Sequence, residues 1–370
     1  MNYPKFKVCV RCFTFNQADY IEDAMNGFTM QQTDFPFVCC IVDDASTDKE
    51  QKVIKSYMER HFNLSDSSVS YKKETDYANI IYAQHNSNKN CFFAVLFLKE
   101  NLYSKNENLK KIEYISEWSQ NCEYEAICEG DDYWTVCDKL QKQVRFMDDN
   151  QDYSFCHTGF DIYIQNSKKL ESGIGIVNNN LGIISKKNNL AERILDGNSY
   201  RIQTATVLLR NKYSHLVAEL LRPYRGKFLM GDTQMWLAYL SFGRIGFLPE
   251  ITTVYRVNKG SACRPDNFEH QIRFDLSCAE MRVEMADLFN LNENFKRYLQ
   301  KQYHNKLNLY YCYNENYKPF VKIKFNNAVD MIQYHLLKFS IMRVLLRKIY
   351  EYRMLQYERK NGKLYSNSNT

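Results

Sequence analysis

The chain has 370 residues, a length that suits two ordinary domains or one large α/β domain with an appendage. Hydrophobic residues make up 45% and charged residues 25%, with 13 Gly and 6 Pro, which excludes a wholly disordered, collagen-like or Pro-rich chain. The net charge of +6 is uneven: residues 291–370 hold 15 basic and 5 acidic side chains, so the surplus is C-terminal.

In chain order, Phe6 to Phe15 is rich in Val, Cys and Phe and reads as a strand. Tyr20, Ile21, Ala24, Met25 and Phe28 then recur at helical spacing. Phe37 to Val42 is a continuous apolar run, as in a strand covered on both faces. Thr47-Asp-Lys-Glu50 matches a capping box and opens a helix carrying Val53, Ile54, Tyr57 and Met58. Ile80 to Ala83 reads as a short strand, and Asn90 as the cap of a buried helix starting at Cys91. Tyr124 to Cys128 is a further strand, followed by a helix marked by Leu140, Val144 and Met147. Residues 165–195 are polar and read as irregular. Gln203 to Leu209 is a strand candidate, and a helix starts at Asp232. Ile245 to Leu248 and Ile251 to Tyr255 read as two short strands, and beyond about residue 265 the pattern turns helical and basic.

This alternation predicts an α/β fold with a mostly parallel sheet flanked by helices and a basic helical extension. The expected domains are 1–265 and 266–370. No uncharged apolar run approaches the ~18–20 residues of a membrane span, and no apolar leader opens the chain. The expectation is a cytoplasmic protein, with peripheral contact at the inner membrane face as an alternative. The 12 cysteines read mostly as buried reduced thiols, and Cys9-x-x-Cys12 lacks the second pair that a zinc site needs.

Two strands end in paired acids, Asp43-Asp44 and Glu129-Gly130-Asp131-Asp132. Ligands of such sheets bind beyond the carboxyl ends of the strands. Adjacent carboxylates repel, and a hard divalent cation with substrate phosphates is a common remedy. The alternative is that each pair only shapes a turn. No P-loop, G-x-G-x-x-G, G-x-S-x-G or H-E-x-x-H is present. His157 lies in an apolar strand and reads as a core histidine.

Val10-Arg-Cys-Phe-Thr14-Phe15-Asn16-Gln17, Val42-Asp43-Asp44-Ala-Ser46-Thr-Asp48 and Cys128-Glu-Gly-Asp131-Asp132-Tyr-Trp134 together resemble the ordered motifs of glycosyltransferase family 2, with its GT-A fold. Met230-Gly231-Asp232-Thr-Gln-Met-Trp236 and Val254-Tyr255-Arg256-Val-Asn258 extend the resemblance over roughly residues 5–265. It is nearest in character to bacterial enzymes of surface-polysaccharide synthesis. The resemblance implies that Thr14, Phe15, Asn16 and Asp44 cradle the donor nucleoside, with Asp44 facing the base. It implies Asp131 near ribose and diphosphate, Asp132 on a divalent cation (Mn2+ or Mg2+), and Asp232 as catalytic base; from sequence alone Asp232 is a plain N-cap. The implied activity is inverting transfer of a hexosyl or N-acetylhexosaminyl group from a nucleotide-sugar donor, UDP-linked by expectation, to a glycan or lipid-linked acceptor.

Two departures stand out. Asn258 occupies a position where many relatives have His, and Asn is the poorer ligand for a transition metal. Arg11 lies in a strand where relatives are apolar and needs a partner. For residues 291–370, contact with an anionic membrane surface and a plain helical subdomain, packing on the core or in a homo-oligomer, stand level; nucleic-acid binding ranks below both. A metal-dependent nucleotidyltransferase and a non-catalytic sugar-nucleotide binder are the rival functions. The first would want a Gly-rich basic loop after the first strand, and the second would lack Asp132 or Asp232.

Overall fold

β1 (Val8–Thr14) and β2 (Phe37–Asp43) are almost wholly buried, as their unbroken apolar sequences require. They pair in parallel from Val8↔Phe37 to Thr14↔Asp43, so both chains reach the same sheet edge together. The computed structural model describes residues 3–173, 187–197, 200–258, 267–321 and 323–361. The further strands are β3 (Ser70–Glu74), β4 (Ala78–Gln84), β5 (Cys91–Leu98), β6 (Tyr124–Ile127), β7 (Tyr133–Trp134), β8 (Tyr153–Ile164), β9 (Lys169–Glu171), β10 (Leu208–Arg210) and β11 (Arg244–Val257). Together they form one mixed α/β sheet in the order β3-β4-β5-β2-β1-β6-β10-β8-β11-β7, with β9 beside β8. The central β5-β2-β1-β6 block and the long β8–β11 ladder are parallel. Helices α1 (Ile21–Thr29) and α2 (Glu50–His61) follow β1 and β2.

Several elements differ from the sequence reading. Cys91–Leu98 is strand β5, not a helix: all eight residues are buried between β2 and β4 (Ala78–Gln84), where a short, aromatic-rich apolar run suits a strand. β3 (Ser70–Glu74) is a charged edge strand and so carries no apolar signal in the sequence. The two short strands near residue 250 are one strand, β11 (Arg244–Val257), whose register slips between Leu248 and Ile251, around Pro249. Gln203 to Leu209 divides into a 3-10 turn, Thr204–Thr206, and β10 (Leu208–Arg210). Within 165–195 there are a short strand β9 (Lys169–Glu171) and a helix Lys187–Asp196, while residues 174–186 lie outside the described residues.

Two apolar layers cover the sheet. Cys12, Ile41 and Phe93 face one; Cys9, Cys40 and Leu96 face the other. Cys9 and Cys12 therefore point to opposite sides of β1, and the C-x-x-C cannot close on one ion. Arg11 finds its partner in Glu125 of β6 (Tyr124–Ile127), at 2.7 Å. His157, in β8 (Tyr153–Ile164), is buried against Tyr200 at 2.7 Å, and burial pushes its pKa down to about 3, as a core histidine should behave.

The chain divides into two compact units, Met1–Pro223 with Met235–Asn258, and Tyr224–Gln234 with Lys259–Thr370. The expected boundary at 265/266 lies outside the described residues. In the second unit, helices Phe268–Leu288 and Glu293–Tyr311 are N-capped by Asn267 and Asn292 and bury Leu276, Met281, Tyr303 and Leu307. Helices Ala328–Leu336 and Ser340–Asn361 follow. Among the described residues no helix is long and apolar enough to cross a membrane.

Candidate functional site

The carboxyl ends of β1, β2 and β6 supply the turns that carry the motif residues. Beyond β1 the chain turns sharply at Asn16, whose φ is 54°, in the left-handed region that Asn tolerates. The Asn16 carboxamide oxygen accepts the Thr47 N–H at 2.8 Å, and the Asn16 N–H donates to Ser46 at 2.9 Å, lacing the β1 and β2 turns together. Between them sits Glu50, fully buried. It accepts from the Thr14 hydroxyl, from the Gln17 N–H at 2.9 Å and from the Ser46 hydroxyl at 2.8 Å. Burial pushes its pKa up, and these donors oppose the rise. Glu50 is thus no capping-box residue: the N-cap of α2 is Lys49, with no side-chain cap bond, and the Glu50 carboxylate turns inward to the β1 end. Phe15 is exposed at this turn.

Asp44 turns away from the strand-end opening. Its carboxylate accepts the N–H groups of Leu102 and Tyr103 at 2.8 and 3.1 Å and pairs with Lys111 at 2.6 Å, all in the interior. At 1% exposure and with these partners, it pins the 101–103 loop and lacks the open face that contact with a base needs. These partners lie 58 to 67 positions further along the chain. Asp43 is also buried, held by Gln51 at 2.6 Å, and burial raises its pKa.

The second acidic pair has a different environment. Gly130 is required by close approach: a Cβ there would lie 2.4 Å from the Thr14 hydroxyl and 2.5 Å from the Gln17 carboxamide. Asp131 accepts from the Asn258 amide at 3.3 Å, and Asp132 accepts the Arg256 N–H at 2.8 Å. Burial pushes both acids up, and the Asp131 charge raises Asp132 further. Arg256 holds this turn. Its guanidinium donates to the Asp131 carbonyl at 2.9 Å, to Gln165 at 3.0 Å and to Asp23 at 2.7 Å, and it lies over the rings of Tyr20, Tyr133 and Tyr163. The fork is spent on a carbonyl, an amide and Asp23; among the described residues no Lys or Arg forms an ion pair with Asp131 or Asp132.

The structure therefore brings Thr14, Asn16, Asp131, Asp132 and Asn258 to one set of strand ends. Asp232 is exposed at the start of helix Asp232–Phe242, and the segment Tyr224–Gln234 groups with the second unit. Sequence reading missed Glu50, Lys111 and the bridging role of Arg256. Glu50 was hidden by its fit to a capping pattern, and Lys111 has no local signal. An open cavity of about 530 Å³ lined by Ser46, Asp48, Gln51, Lys52 and Lys55 borders the β2 turn without including the Asp131–Asp132 pair. The Asp131–Asp132 pair, rather than this cavity, defines the candidate site.

The donor set is all oxygen: two carboxylates, and an Asn258 carboxamide oxygen that is buried without a hydrogen-bond partner. This suits a hard divalent cation that takes few protein ligands and completes its shell from water and phosphate. Among the described residues there is no cluster of three or more His, Cys, Asp or Glu arranged to hold a metal ion by itself.

No family model matches the chain. Uncharacterised proteins of Mycobacterium tuberculosis and Mycobacterium bovis are 28% identical over 246 residues, 66% of this chain and 56% of theirs. The chain thus matches little more than half the length of these relatives. Among solved structures, Staphylococcus aureus TarS 1–349 with UDP is similar at 16% identity over 99% of this chain and 94% of that one, TM-score 0.45. The same protein with UDP-GlcNAc gives 15% identity over 98% and 93%, TM-score 0.47. The mannosyltransferase PcManGT from Pyrobaculum calidifontis, with GDP-Man and Mn2+, gives 13% over 95% and 85%, TM-score 0.42.

Proposed function

We propose that the chain is a glycosyltransferase that takes a sugar from a nucleotide-diphosphate donor, UDP-linked, with a divalent cation at Asp131, Asp132 and Asn258. The observation that carries this reading is the unequal neutralisation of the two acidic pairs. Lys111 and two N–H groups satisfy Asp44, whereas the buried Asp132 and half-buried Asp131 are both raised and without an ion-pair partner among the described residues. Such a pair calls for a proton or a cation. The motif resemblance supplies the substrate class.

Asp131 and Asp132 would hold the cation, with Asn258 as a neutral oxygen ligand. A bound cation supplies charge neutralisation for a diphosphate leaving group. Asn16, Ser46 and the buried Glu50 fix the β1 and β2 turns as the floor for the nucleoside. Asp44 acts through the 101–103 loop that it holds, not by touching the base. Asp232 takes the proton from the acceptor hydroxyl as that oxygen attacks the anomeric carbon opposite the leaving phosphate. One displacement inverts the configuration. The acceptor class is a hydroxyl of a glycan or lipid-linked sugar, in surface-polysaccharide synthesis.

Thermal shift against a panel of nucleotides and nucleotide sugars, with Mn2+ and with EDTA, tests the reading. A UDP-linked ligand should raise Tm only when Mn2+ is present. No shift with any nucleotide diphosphate at millimolar concentration and saturating Mn2+ would overturn it.

A further inference from the structure

Helix Ser340–Asn361 has two unlike sides. Met342, Leu346 and Tyr350 are half-buried on one. On the same side Arg343 pairs with Glu315 and donates to the Leu337 carbonyl at 2.8 Å, while Arg347 pairs with Glu351 at 2.9 Å. The opposite side is apolar and open. Ile341, Val344, Leu345, Ile349 and Tyr352 recur at i, i+3, i+4, i+8 and i+11, all exposed, with Ile341 at 79%. At about 100° per residue they fill an arc of about 140°. Phe339, 64% exposed, precedes this stripe, and helix Ala328–Leu336 adds exposed Val329 and Ile332. Scattered exposed apolar residues need no explanation, but a contiguous stripe on a helix marks a docking face.

The charges say what docks there. Arg343 and Arg347 are engaged by Glu315 and Glu351 within the protein. Lys338, Lys348 and Arg353 have no ion pair among the described residues, and all three are exposed. Lys348 lies inside the apolar arc, where its long stem can lie along apolar surface while the ammonium reaches outward. A two-fold contact between copies of the chain would bring two copies of the same cationic face together. An anionic surface complements them instead, and an apolar arc flanked by lysine and arginine is the pattern of a helix lying in a lipid interface.

We propose that the exposed apolar stripe of helix Ser340–Asn361, together with the exposed apolar side chains of helix Ala328–Leu336, is a docking surface for an anionic lipid bilayer. Apolar side chains enter the interface and Lys338, Lys348 and Arg353 meet the headgroups. The attraction of each basic residue, about 1 kcal/mol near such a surface, is worth about fivefold in partitioning. The inference does not depend on the donor-site reading, because neither its residues nor its test involves nucleotide.

The test is flotation of the full chain with phosphatidylcholine vesicles, pure or with about 30% phosphatidylglycerol, at low and high salt. Expected are at least tenfold stronger binding to the anionic vesicles, loss of that preference near 0.5 M salt as screening shortens, a tenfold or greater drop in Lys338→Glu/Lys348→Glu, and near-complete loss in Ile341→Asp/Leu345→Asp. The altered side chains are exposed, and circular dichroism checks that each variant folds. Equal binding to neutral and anionic vesicles, no binding at low salt, or variants that bind like the parent would each overturn the proposal. So would a dimer in light scattering that Ile341→Asp/Leu345→Asp splits while vesicle binding stays absent, since that outcome assigns the face to a second copy.

Discussion

Replacing Arg256 by Met tests whether the Asp131–Asp132 turn is built the way its contacts suggest. The guanidinium is 7% exposed and donates to the Asp131 carbonyl and to Gln165. Hydrogen bonds from a charged group are worth roughly 1.5–3 kcal/mol each. Its bond to Asp23 counts for less than about 1 kcal/mol, because the Asp23 side chain is 54% exposed and screened. The stack on Tyr20, Tyr133 and Tyr163 adds ~0.5–2 kcal/mol, part of which Met recovers by packing. The net loss should be about 3–5 kcal/mol. At ~2–4 °C per kcal/mol for a unit of this size, Tm falls by roughly 6–20 °C.

The same substitution should weaken the proposed cation site, because the guanidinium orients the turn that carries both acids. Loss of such a supporting contact costs typically 10–100-fold in metal affinity. Arg256→Lys keeps the charge but not the planar fork, and should fall between parent and Met. Thermal unfolding followed by circular dichroism gives the first number, and Mn2+ titration of folded protein well below Tm gives the second. A Tm within about 2 °C of the parent refutes the packing argument. A large fall in Tm with unchanged Mn2+ affinity refutes the link to the acids.

Four further outcomes follow from the structure and the proposed chemistry. Asp232→Asn should lower transfer about 10²–10⁴-fold with donor binding nearly intact; comparable turnover on a confirmed acceptor removes Asp232 from the mechanism. Because Asp131 and Asp132 are raised, protons compete with the cation above the ordinary carboxylate value of ~3.9, so Mn2+-dependent UDP affinity should fall as pH drops from 7.5 toward 5; a flat profile over that range contradicts this. Lys139 is fully buried beside Trp134 and Gln143, with its pKa pushed down to about 7 by burial; below pH 7 both folded and unfolded states are protonated and the burial penalty is full, so Lys139→Met should show its greatest gain in Tm there and lose it as pH rises toward 10, whereas a pH-independent difference would show that Lys139 stays charged. Ala45 has φ of 59°, where an L side chain costs roughly 1–2 kcal/mol, so Ala45→Gly should raise Tm by a few degrees, and a lower Tm would mean that the turn is not strained.

What the sequence made legible was set by how local the cause is. Phe37 to Val42 declares itself as a strand because every residue is apolar, and the paired acids that follow it mark the strand's carboxyl end. Cys91–Leu98 is just as apolar, yet eight buried residues satisfy a helix or a strand until β2 and β4 are seen on either side. Glu50 met a local rule for helix starts, and the tertiary pull of Thr14, Gln17 and Ser46 overrode it. Arg11 showed the need for a partner without naming Glu125, which lies on the neighbouring strand and far along the chain.

The two Asp-Asp pairs show the same limit at the site itself. Both stand where strands end, and nothing in their immediate sequence separates a structural pair from a functional one. The difference comes from distant chain. Lys111 and the 101–103 loop enclose Asp44 and make its charge an internal tie, stabilising the loop and closing the carboxylate to ligands. The turn at Asp131 receives an arginine too, but Arg256 spends its fork on a backbone carbonyl, an amide and Asp23, and it gives the Asp132 carboxylate only a backbone N–H. The protein thus holds one buried and one half-buried carboxylate side by side with no Lys or Arg ion pair among the described residues. A fold that needed only a turn there would place a neutral residue at one of the two positions at lower cost. Two acids beside the unpartnered Asn258 oxygen accord with the proposed cation and phosphate.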